Sequence, residues 1–454
     1  MYAAGLDIGS TTCSAVVLDL ENHRIAHTDT RRSRGLLPPD VPGGSLCDPR
    51  QLFETAEEML GDVEARFGKL CAVGLTGQMH GVVYLDADGG VLSPLYTWQD
   101  GRGNTPLESG ESAARELSEL TGYPMASGYG LTTHYVLARS GKAPEGAAYL
   151  ATIADYTAMR LCGLSMPLMH VSNAAGLGAF DCLSGCFDVE ALARANIDCS
   201  LLPPITRCAE PIGVTKAGAP VTVAVGDNQA GFLGAVDRPE DALLLNIGTS
   251  GQVSAVCESP KRAGLSRLRP LTDEHCLLVG ATLCGGRAYA ALERFFRSCL
   301  RLAGAPEADD LYPLMNTAAL CVFEDGLRIR TTFAGTRENP ALRGSVENLG
   351  VENFTAEQLT RGVLEGIVDE LYGQYLAMLP ALGPKTRLVG GGNALRHNPA
   401  LRRIAEERFG MRLEIPIHRE EAAVGAALFG AAGAGWRVEP EKFISYRISC
   451  QNLV

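Results

Sequence analysis

Two aspartates follow apolar runs in this chain of 454 residues, at places where a carboxylate can do chemistry. Asp227 follows the run 221–225, which we expect to be a buried strand, and active groups in α/β folds gather at the carboxyl ends of strands. Its carboxylate could take a proton from a hydroxyl group. Asp7 ends a first apolar strand, where a carboxylate could organise Mg²⁺ through its water shell. The alternative for both is a structural role, such as capping a turn.

Two turns combine glycine with small hydroxyl residues. Apolar runs 3–8 and 13–20 are joined by Gly9-Ser10-Thr11-Thr12, and runs 243–247 and 252–257 by Gly248-Thr249-Ser250-Gly251. Glycine lets a backbone approach closely, and successive amides and hydroxyls can donate to phosphate oxygens. The two strand-turn-strand copies lie about half a chain apart, which suggests a duplicated domain, with two unrelated hairpins as the alternative.

A third glycine-rich segment follows an apolar strand near the end of the chain. Gly390, Gly391 and Gly392 lead into Asn393 and a helix, an arrangement that permits close contact with a flat adenosine. A flexible turn explains the same pattern equally well. The sequence has no Gly-x-x-x-x-Gly-Lys-Ser/Thr loop, and no Gly-x-Gly-x-x-Gly opens its first strand-helix unit. A bound nucleotide would therefore be held in another way.

Two polar and aromatic segments also follow predicted strands. Gln78, Met79 and His80 come after the strand 70–75, and Trp98 and Asp100 come after Leu95-Tyr96. Hydrogen-bonding groups beside an aromatic ring suit a sugar, which presents hydroxyls and apolar C–H faces. A single histidine or tryptophan is more often part of a core, so the prediction of a sugar pocket depends on the segments together.

Helices and strands alternate, which predicts an α/β protein. We expect helices over 51–67 and 113–121, a helix capped by Asn398 and stopped by Gly410, and a last helix beginning at Glu420-Glu421. The apolar run 422–436 is shorter than the roughly 18 residues of a membrane span, so we interpret it as a buried helix. The polar stretch 258–275 is expected to be an exposed excursion.

The bulk composition restricts partners and compartment. The length suits two domains, which we divide as 1–237 and 238–454. A net charge of −12 argues against binding to nucleic acid or to an anionic membrane surface. Fourteen scattered cysteines and no secretion signal after Met1 predict free thiols in the cytoplasm.

Five motifs together resemble the FGGY family of carbohydrate kinases, from Leu6 to about Gly430. They are Gly5-Leu6-Asp7-Ile8-Gly9-Ser10-Thr11, Gln78-Met79-His80-Gly81, Gly226-Asp227-Asn228, Asn246-Ile247-Gly248-Thr249-Ser250 and Gly390-Gly391-Gly392-Asn393. The resemblance implies two ribonuclease-H-like domains of the actin/hexokinase type with an interdomain catalytic cleft. The first domain would bind mainly the sugar and the second mainly the nucleotide.

The resemblance also implies a role for each matched residue, with ATP and Mg²⁺ as cofactors. Asp227 would be the general base and would contact the sugar, together with Gln78, Met79, His80, Trp98, Asp100 and Asn228. Asp7 would position the metal. Ser10, Thr11, Thr12, Gly248 and Thr249 would flank the phosphates, and Gly285, Gly390, Gly391, Gly392 and Asn393 would lie beside adenosine.

The substrate implied by the resemblance is a small ketose. Segments 98–102, 127–130 and 161–169 are most similar to family members that act on sedoheptulose, with xylulose or another pentulose or polyol as the alternative. A protein of another class, an actin-like or chaperone-like nucleotide switch, would share the nucleotide motifs without needing a sugar pocket. A kinase-like protein that has lost activity is a third reading. The expected partner is a small-molecule sugar, with no nucleic acid and no membrane, and a homodimer is left open.

Overall fold

The computed structural model describes residues 1–107, 110–262, 264, 267–272, 275–306, 309–336, 339 and 341–448, except the side chain of Arg262. These residues form two compact units. The first unit comprises 1–237 with the described parts of 264–277 and 418–444. The second comprises the described parts of 238–263, 278–417 and 445–454. Two later segments of the chain therefore pack with the first unit, while the predicted division by ligand, 1–237 for sugar and 238–454 for nucleotide, stays a prediction.

The first unit contains helices around a mixed sheet. Its helices are Pro49–Phe67, Ala113–Thr121, Gly130–Arg139, Ile153–Leu161, Val171–Leu177, Val189–Arg194, Asp227–Ala235 and Glu421–Gly433, with short 3₁₀ helices at Gly101–Asn104, Cys199–Leu201 and Pro440–Lys442. Its strands are Tyr2–Ile8, Thr12–Asp19, Arg24–Arg32, Leu36–Leu37, Leu46–Cys47, Ala72–Gly77, Val83–Leu85, Leu95–Tyr96, Tyr149–Ala151, Met169–His170, Phe180–Asp181, Cys186–Phe187, Ile205–Thr206, Pro211–Val214, Pro220–Thr222, Val225–Gly226 and Leu268–Pro270.

The second unit is built in the same way. Its helices are Gly286–Leu302, Tyr312–Ala318, Ala356–Met378, Asn393–His397 and Pro399–Phe409, with 3₁₀ helices at Pro260–Arg262 and Leu379–Ala381. Its strands are Ala242–Ile247, Gly251–Cys257, Cys276–Thr282, Arg328–Arg330, Ser345–Glu347, Arg387–Gly391, Leu413–Pro416 and Tyr446–Ile448.

The central strand of each sheet has the same two kinds of neighbour. In the first unit, Tyr2–Ile8 pairs antiparallel with Thr12–Asp19 and parallel with Ala72–Gly77. In the second unit, Ala242–Ile247 pairs antiparallel with Gly251–Cys257 and parallel with Arg387–Gly391. We call these antiparallel pairs the first and the second hairpin. Their shared arrangement is what a duplicated domain requires.

The helix Glu421–Gly433 packs on the sheet of the first unit through small residues. A methyl group added to Gly5 would lie 2.0 Å from the carbonyl oxygen of Ala423, and one added to Gly74 would lie 1.8 Å from that of Ala426. Only glycine allows backbones to approach so closely. The predicted buried helix is confirmed over 423–431, whereas Ala432, Gly435 and Trp436 at the end of the run are exposed. No helix in the described residues has the length and apolar character needed to cross a membrane.

Most of the predicted local structure is confirmed, with two corrections. The helix Pro399–Phe409 is capped by Asn398 and ends at Gly410, which has a positive φ of 66°. The stretch 258–275 is not wholly an exposed excursion, because Leu268 and Leu271 are buried and Leu268–Pro270 is a strand. The predicted strand 221–225 is interrupted after Thr222 and resumes at Val225, since the chain leaves the sheet ladder at Val223 and Ala224.

Candidate active site

Asp227 is the first residue of the helix Asp227–Ala235 and directly follows the strand Val225–Gly226. Its Oδ1 accepts a hydrogen bond from the backbone amide of Asn228 at 2.9 Å. Burial raises the pKa of Asp227 to about 6, and hydrogen bonds from backbone amides oppose that rise. The carboxylate is therefore ionised in most molecules at pH 7. Its pKa is also close to the operating pH, which is where a general base works best.

Three carboxylates gather at the end of the first hairpin. The pKa of Asp7 is raised to about 7, mainly by burial and then by the negative charges of Asp227 and Glu420, in that order of importance. Ser14, opposite Asp7 in the hairpin, donates a hydrogen bond to Glu420 Oε2 at 2.8 Å. Glu420 was predicted only as a helix-start charge. Its position here depends on the return of the chain to the first sheet, which no local pattern signals.

The turn of the first hairpin is held by its own backbone and by Ser33. The amide of Gly9 donates to the carbonyl of Thr12 at 3.1 Å, and the amide of Ser33 donates to the carbonyl of Thr11 at 2.8 Å. The hydroxyl of Ser33 donates to the carbonyl of Gly9 at 2.7 Å. Ser10 is half-buried, while Thr11 and Thr12 are exposed. The predicted phosphate-flanking residues therefore form one fixed turn that continues the strand of Asp7.

The predicted sugar-binding residues 78–80 and Asp227 follow neighbouring strands. Gly226 lies beside Gly77 in a parallel pair, so the chain after both strands leaves at the same edge of the sheet. The side-chain amide of Asn228 lies 3.6 Å from Met79 Sδ. The structure thus brings Gln78, Met79 and His80 together with Asp227 and Asn228.

His80 is fixed on two sides. Its Nδ1 lies 2.7 Å from the carbonyl oxygen of Gly176, and its ring stacks on Tyr129 with centroids 4.5 Å apart and planes 5° apart. Tyr129 was not among the predicted site residues. Its signal in the sequence is its place between Gly128 and Gly130, in a segment noted only for its family resemblance.

Gln78 connects this group to the Trp98 segment. Its Oε1 accepts a hydrogen bond from the backbone amide of Trp98 at 3.0 Å. Its Nε2 is buried and has no hydrogen-bond partner among the described residues. A buried donor without a partner is costly, so this group is suited to a ligand oxygen. The side chain of Trp98 is 50% exposed, as a platform for a ligand requires.

Asp100 faces inward. It is 1% exposed and accepts hydrogen bonds from Ser45 N at 3.0 Å and from Arg102 Nε at 2.7 Å. The guanidinium of Arg102 lies 4.3 Å from the ring centre of Tyr96. These contacts occupy the carboxylate within the protein. They suit a support for the Trp98 segment better than a direct contact with a sugar.

In the second unit, the turn of the second hairpin meets the start of the helix Gly286–Leu302. The amide of Gly286 donates to the carbonyl of Gly248 at 2.7 Å, and the amide of Gly285 donates to the carbonyl of Thr249 at 3.0 Å. A methyl group on Gly285 would lie 2.5 Å from the carbonyl oxygen of Ser250. The structure therefore joins Gly248, Thr249 and Gly285, which were predicted separately.

The three-glycine segment approaches the same hairpin. Gly391 lies beside Asn246 in the parallel pair, and Gly390 belongs to the same strand. Gly392 has a φ of +84°, and a methyl group there would lie 2.5 Å from the carbonyl oxygen of Ile247. Asn393 then begins the short helix Asn393–His397. Glycine is thus required at 392 both by φ and by space.

A cavity of about 490 Å³ lies beside this segment, within the second unit. Its lining residues include Ile247, Gly286, Tyr289, Asn316, Leu364 and Asn393. The hydroxyl of Tyr289 donates to Asn316 Oδ1 at 3.0 Å, and Asn398 Nδ2 donates to the same oxygen at 2.8 Å. The volume lies in the range of small-molecule and cofactor sites, and an apolar cavity with a few polar groups suits a nucleoside. Sequence analysis missed Tyr289 and Asn316, which lie outside every glycine motif.

No group of three or more histidine, cysteine or acidic side chains in the described residues could enclose a metal ion. Mg²⁺, however, is usually held by one or two carboxylates together with water and substrate phosphates. Asp7 fits such a loosely held ion, because a divalent cation beside it would offset the negative charges of Asp227 and Glu420 that raise its pKa.

The fold and the site define a two-domain α/β kinase. A family model for the N-terminal domain of the FGGY family of carbohydrate kinases matches residues 2–234, and the model for the C-terminal domain of that family matches residues 243–434. The chain therefore belongs to the FGGY family and is a carbohydrate kinase, which transfers phosphate to an alcohol group. The phosphate donor in this family is ATP.

Curated relatives cover almost the whole chain. Sedoheptulokinase from Mus musculus is 28% identical over 93% of this chain and 96% of its own length. Xylulose kinase from Streptomyces coelicolor is 27% identical over 93% and 86%. Gluconokinase from Bacillus subtilis (strain 168) is 25% identical over 96% and 88%.

Solved structures support the same fold. Gluconate kinase from Lactobacillus acidophilus aligns with a TM-score of 0.84 at 21% identity, covering 98% of this chain and 92% of that chain. Xylulose kinase from Rhodospirillum rubrum aligns with a TM-score of 0.83 at 22% identity, covering 98% and 93%. The predicted two-domain α/β fold is confirmed.

Proposed function

We propose that this carbohydrate kinase phosphorylates a ketose, with sedoheptulose as the first candidate and xylulose or another pentulose or polyol as the alternative. The observation that carries the proposal is the grouping of Asp227 with Gln78, Met79 and His80 at the ends of neighbouring strands. A second support is the similarity to sedoheptulokinase over 93% of the chain.

Asp227 takes the proton from the attacking hydroxyl in this proposal. Its carboxylate stands at a helix start, and its raised pKa of about 6 makes it a stronger base than an exposed aspartate. A positioned general base contributes about 10²–10⁴ in rate. Since phosphoryl transfer otherwise depends on positioning and charge stabilisation, this proton transfer is the main chemical step left to a side chain.

The sugar contacts come from residues whose polar atoms have limited partners or whose rings are exposed. Gln78 Nε2 donates to a sugar hydroxyl, His80 presents an edge fixed by Tyr129, and Trp98 covers a C–H face. Met79 and Asn228 complete the wall beside the base. Asp100 acts from behind, by holding the Trp98 segment through Arg102 and Ser45.

The phosphate and nucleotide contacts follow the two hairpins. Asp7 positions Mg²⁺, which supplies charge neutralisation at the phosphates when bound. Ser10, Thr11 and Thr12 of the first turn, and Gly248 and Thr249 of the second, provide amides and hydroxyls for phosphate oxygens. Gly285, Gly390, Gly391, Gly392 and Asn393 form the wall on which adenosine lies, beside the cavity of about 490 Å³.

The compartment and the assembly belong to the proposal as well. All thirteen cysteines in the described part of the chain are free thiols, which favours a reducing compartment such as the cytoplasm. A homodimer stays a prediction, to be measured by light scattering.

The decisive experiment is a panel of acceptors, namely sedoheptulose, D-xylulose, D-ribulose, gluconate and glycerol, assayed by sugar-dependent ADP release with identification of the product. We expect sedoheptulose to give the highest kcat/KM. Stimulation by gluconate or glycerol alone would overturn the ketose assignment. ATP turnover that no sugar stimulates would instead favour a nucleotide switch.

The base is tested in the same assay with Asp227→Asn, which keeps the shape of the side chain but cannot accept the proton. We expect kcat to fall by about 10²–10⁴ while the Kd for ATP stays unchanged. Asp88→Asn removes the same charge from an exposed loop and serves as the control. Wild-type turnover in Asp227→Asn would remove the proposed base.

A further inference from the structure

The strand that leads to Asp227 is interrupted just before it ends. The chain is in the sheet at Pro220–Thr222 and again at Val225–Gly226, but Val223 and Ala224 lie outside the ladder although both are fully buried. Buried backbone groups that leave a ladder need other partners. The hydrogen-bond partners of residues 223–226 therefore determine how firmly the segment before Asp227 is held.

The amide of Val223 donates to the carbonyl of Glu210 at 3.0 Å. Two consecutive side chains bind the backbone further on, at Ala224 and at Gly226. Ser172 and Asn173 lie in the first turn of the helix Val171–Leu177, and both are 0% exposed. The amide of Gly226, the residue directly before Asp227, donates to Ser172 Oγ at 2.8 Å. The side-chain amide of Asn173 donates to the carbonyl of Ala224 at 3.2 Å. One helix start therefore binds the interrupted strand on both sides of Val225.

Each of the two side chains is in turn fixed by a buried neighbour. Ser172 Oγ lies 2.8 Å from His170 Nδ1, and His170 Nε2 lies 3.1 Å from the carbonyl oxygen of Arg207. Asn173 Nδ2 also donates to Asp155 Oδ1 at 2.8 Å, and Asp155 Oδ2 accepts from the hydroxyl of Thr152 at 2.7 Å. Ser172 Oγ and Asn173 Nδ2 are therefore held in place, while Asn173 Oδ1 is buried without a hydrogen-bond partner among the described residues.

The space around Gly226 is closed as well. A methyl group added to Gly226 would lie 2.7 Å from Gln229 Oε1, 3.3 Å from Met79 Sδ and 3.4 Å from Asn173 Oδ1. The segment before the base thus has close neighbours on several sides and a hydrogen bond that fixes its direction.

We propose that Ser172 and Asn173 are positioning residues for Asp227, which act by fixing Ala224 and Gly226 so that the carboxylate at 227 meets the acceptor hydroxyl at the right distance. The inference rests on the proposed role of Asp227 as the base. Misplacement of a reacting group by about 1 Å can cost about 10²-fold in rate. Loss of this support therefore lowers kcat and leaves the binding of sugar and ATP largely intact.

The test compares Ser172→Ala and Ser172→Cys with Ser93→Ala in the full chain. Ser93 is a matched control, because its buried Oγ also accepts a backbone amide, that of Tyr84 at 3.1 Å. A thiol replaces the hydroxyl with a weak hydrogen-bond acceptor, so kcat of Ser172→Cys should lie between those of wild type and Ser172→Ala. If Ser172→Ala does not fold, Ser172→Cys is used for the test. The acceptor is whichever sugar of the panel gives turnover, and melting temperatures are compared throughout.

We expect kcat to fall about 10²-fold in Ser172→Ala, less in Ser172→Cys and less than twofold in Ser93→Ala, with KM values within about threefold of wild type. Hydrogen–deuterium exchange should rise in the peptide spanning 223–229 only in the Ser172 variants. Equal kcat and equal exchange in Ser172→Ala and Ser93→Ala would overturn the proposal.

The exchange measurement also separates this proposal from the proposed function, because it needs no sugar. Faster exchange at 223–229 in Ser172→Ala, with full turnover in Asp227→Asn, would show that the segment is held but that 227 is not the base, and positioning for catalysis would then be rejected. Normal exchange in Ser172→Ala, with an inactive Asp227→Asn, would reject the positioning role and keep the base.

Discussion

The two hairpins have the same strand pattern, but they differ in the last residue but one of their first strands and in the length of their turns. Asp7 in the first hairpin corresponds to Asn246 in the second. Ile8 pairs with Cys13 across four turn residues, whereas Ile247 pairs with Gly251 across three. A repeated backbone has thus been given a charge in one copy and a neutral amide in the other.

The surroundings explain the difference. Asp7 is half-buried, and the negative charges of Asp227 and Glu420 help to raise its pKa. Asn246 is exposed, and its Oδ1 would be 2.6 Å from a methyl group added to Gly392. One hairpin therefore concentrates charge and the other permits close backbone contact. In our proposal the two turns therefore have separate roles: the first hairpin positions the metal, and the second contacts the nucleotide.

The largest effect is expected when the first hairpin is made like the second. Asp7→Asn removes the carboxylate that we propose positions Mg²⁺, and metal stabilisation of the phosphates is worth several kcal/mol. We expect kcat to fall by about 10²–10⁴ and the Mg²⁺ concentration for half-maximal rate to rise. The reciprocal control, Asn246→Asp, should cost less than tenfold. Equal losses in both variants would mean that the hairpins do not differ in task.

The next effect is a pH dependence that belongs to the first unit. The proposed base, Asp227, must be ionised, so we expect activity above its pKa of about 6 and a loss of activity as pH falls through that value. We expect kcat/KM at saturating Mg²⁺ to decrease about tenfold per unit below this pH. The residual activity of Asp227→Asn should lack that limb. An acid limb that persists in the variant would assign the titration to another group.

A smaller effect should follow from Gly392→Ala in the second unit. The new side chain must accept a φ of +84° and a carbonyl oxygen 2.5 Å from its methyl group, so the segment that we propose lies beside adenosine has to move. We expect at least a tenfold rise in the KM for ATP. Gly410→Ala is the matched control, since Gly410 has a φ of +66° but nothing within 4 Å of the added methyl group. An equal rise in the KM for ATP in Gly392→Ala and Gly410→Ala would indicate that backbone strain alone causes the effect.

The smallest effect concerns stability and has the opposite sign to the loss of activity. The pKa of Asp7 is raised from 3.8 to about 7, so the folded state binds this proton more tightly and the group costs stability as pH rises from about 4 to about 7. Asp7→Asn should therefore raise Tm at pH 8 by about 2–4 °C, for a gain on the order of 1 kcal/mol, and have little effect at pH 4. A Tm shift that is independent of pH would contradict this linkage.

The sequence predicts what depends on local chemistry. The helix Pro399–Phe409 followed from Asn398 and Gly410, because capping residues act on adjacent backbone groups. Both hairpins followed from apolar runs around glycine turns. In contrast, Glu420, Tyr129 and Ser172 acquire their positions through contacts with distant segments. The break after Thr222 was missed for the same reason. Nothing in the apolar run 221–225 shows that Asn173 donates a hydrogen bond to the carbonyl of Ala224.

The close fit of the helix Glu421–Gly433 against Gly5 and Gly74 has a consequence for biosynthesis. The strand Ala72–Gly77 emerges from the ribosome long before residue 421, an interval of roughly half a minute at common elongation rates. During that time the glycine-lined face of the nascent sheet has no cover. The first unit should therefore complete its folding only when translation is nearly finished, which makes truncated chains prone to aggregation or to capture by chaperones.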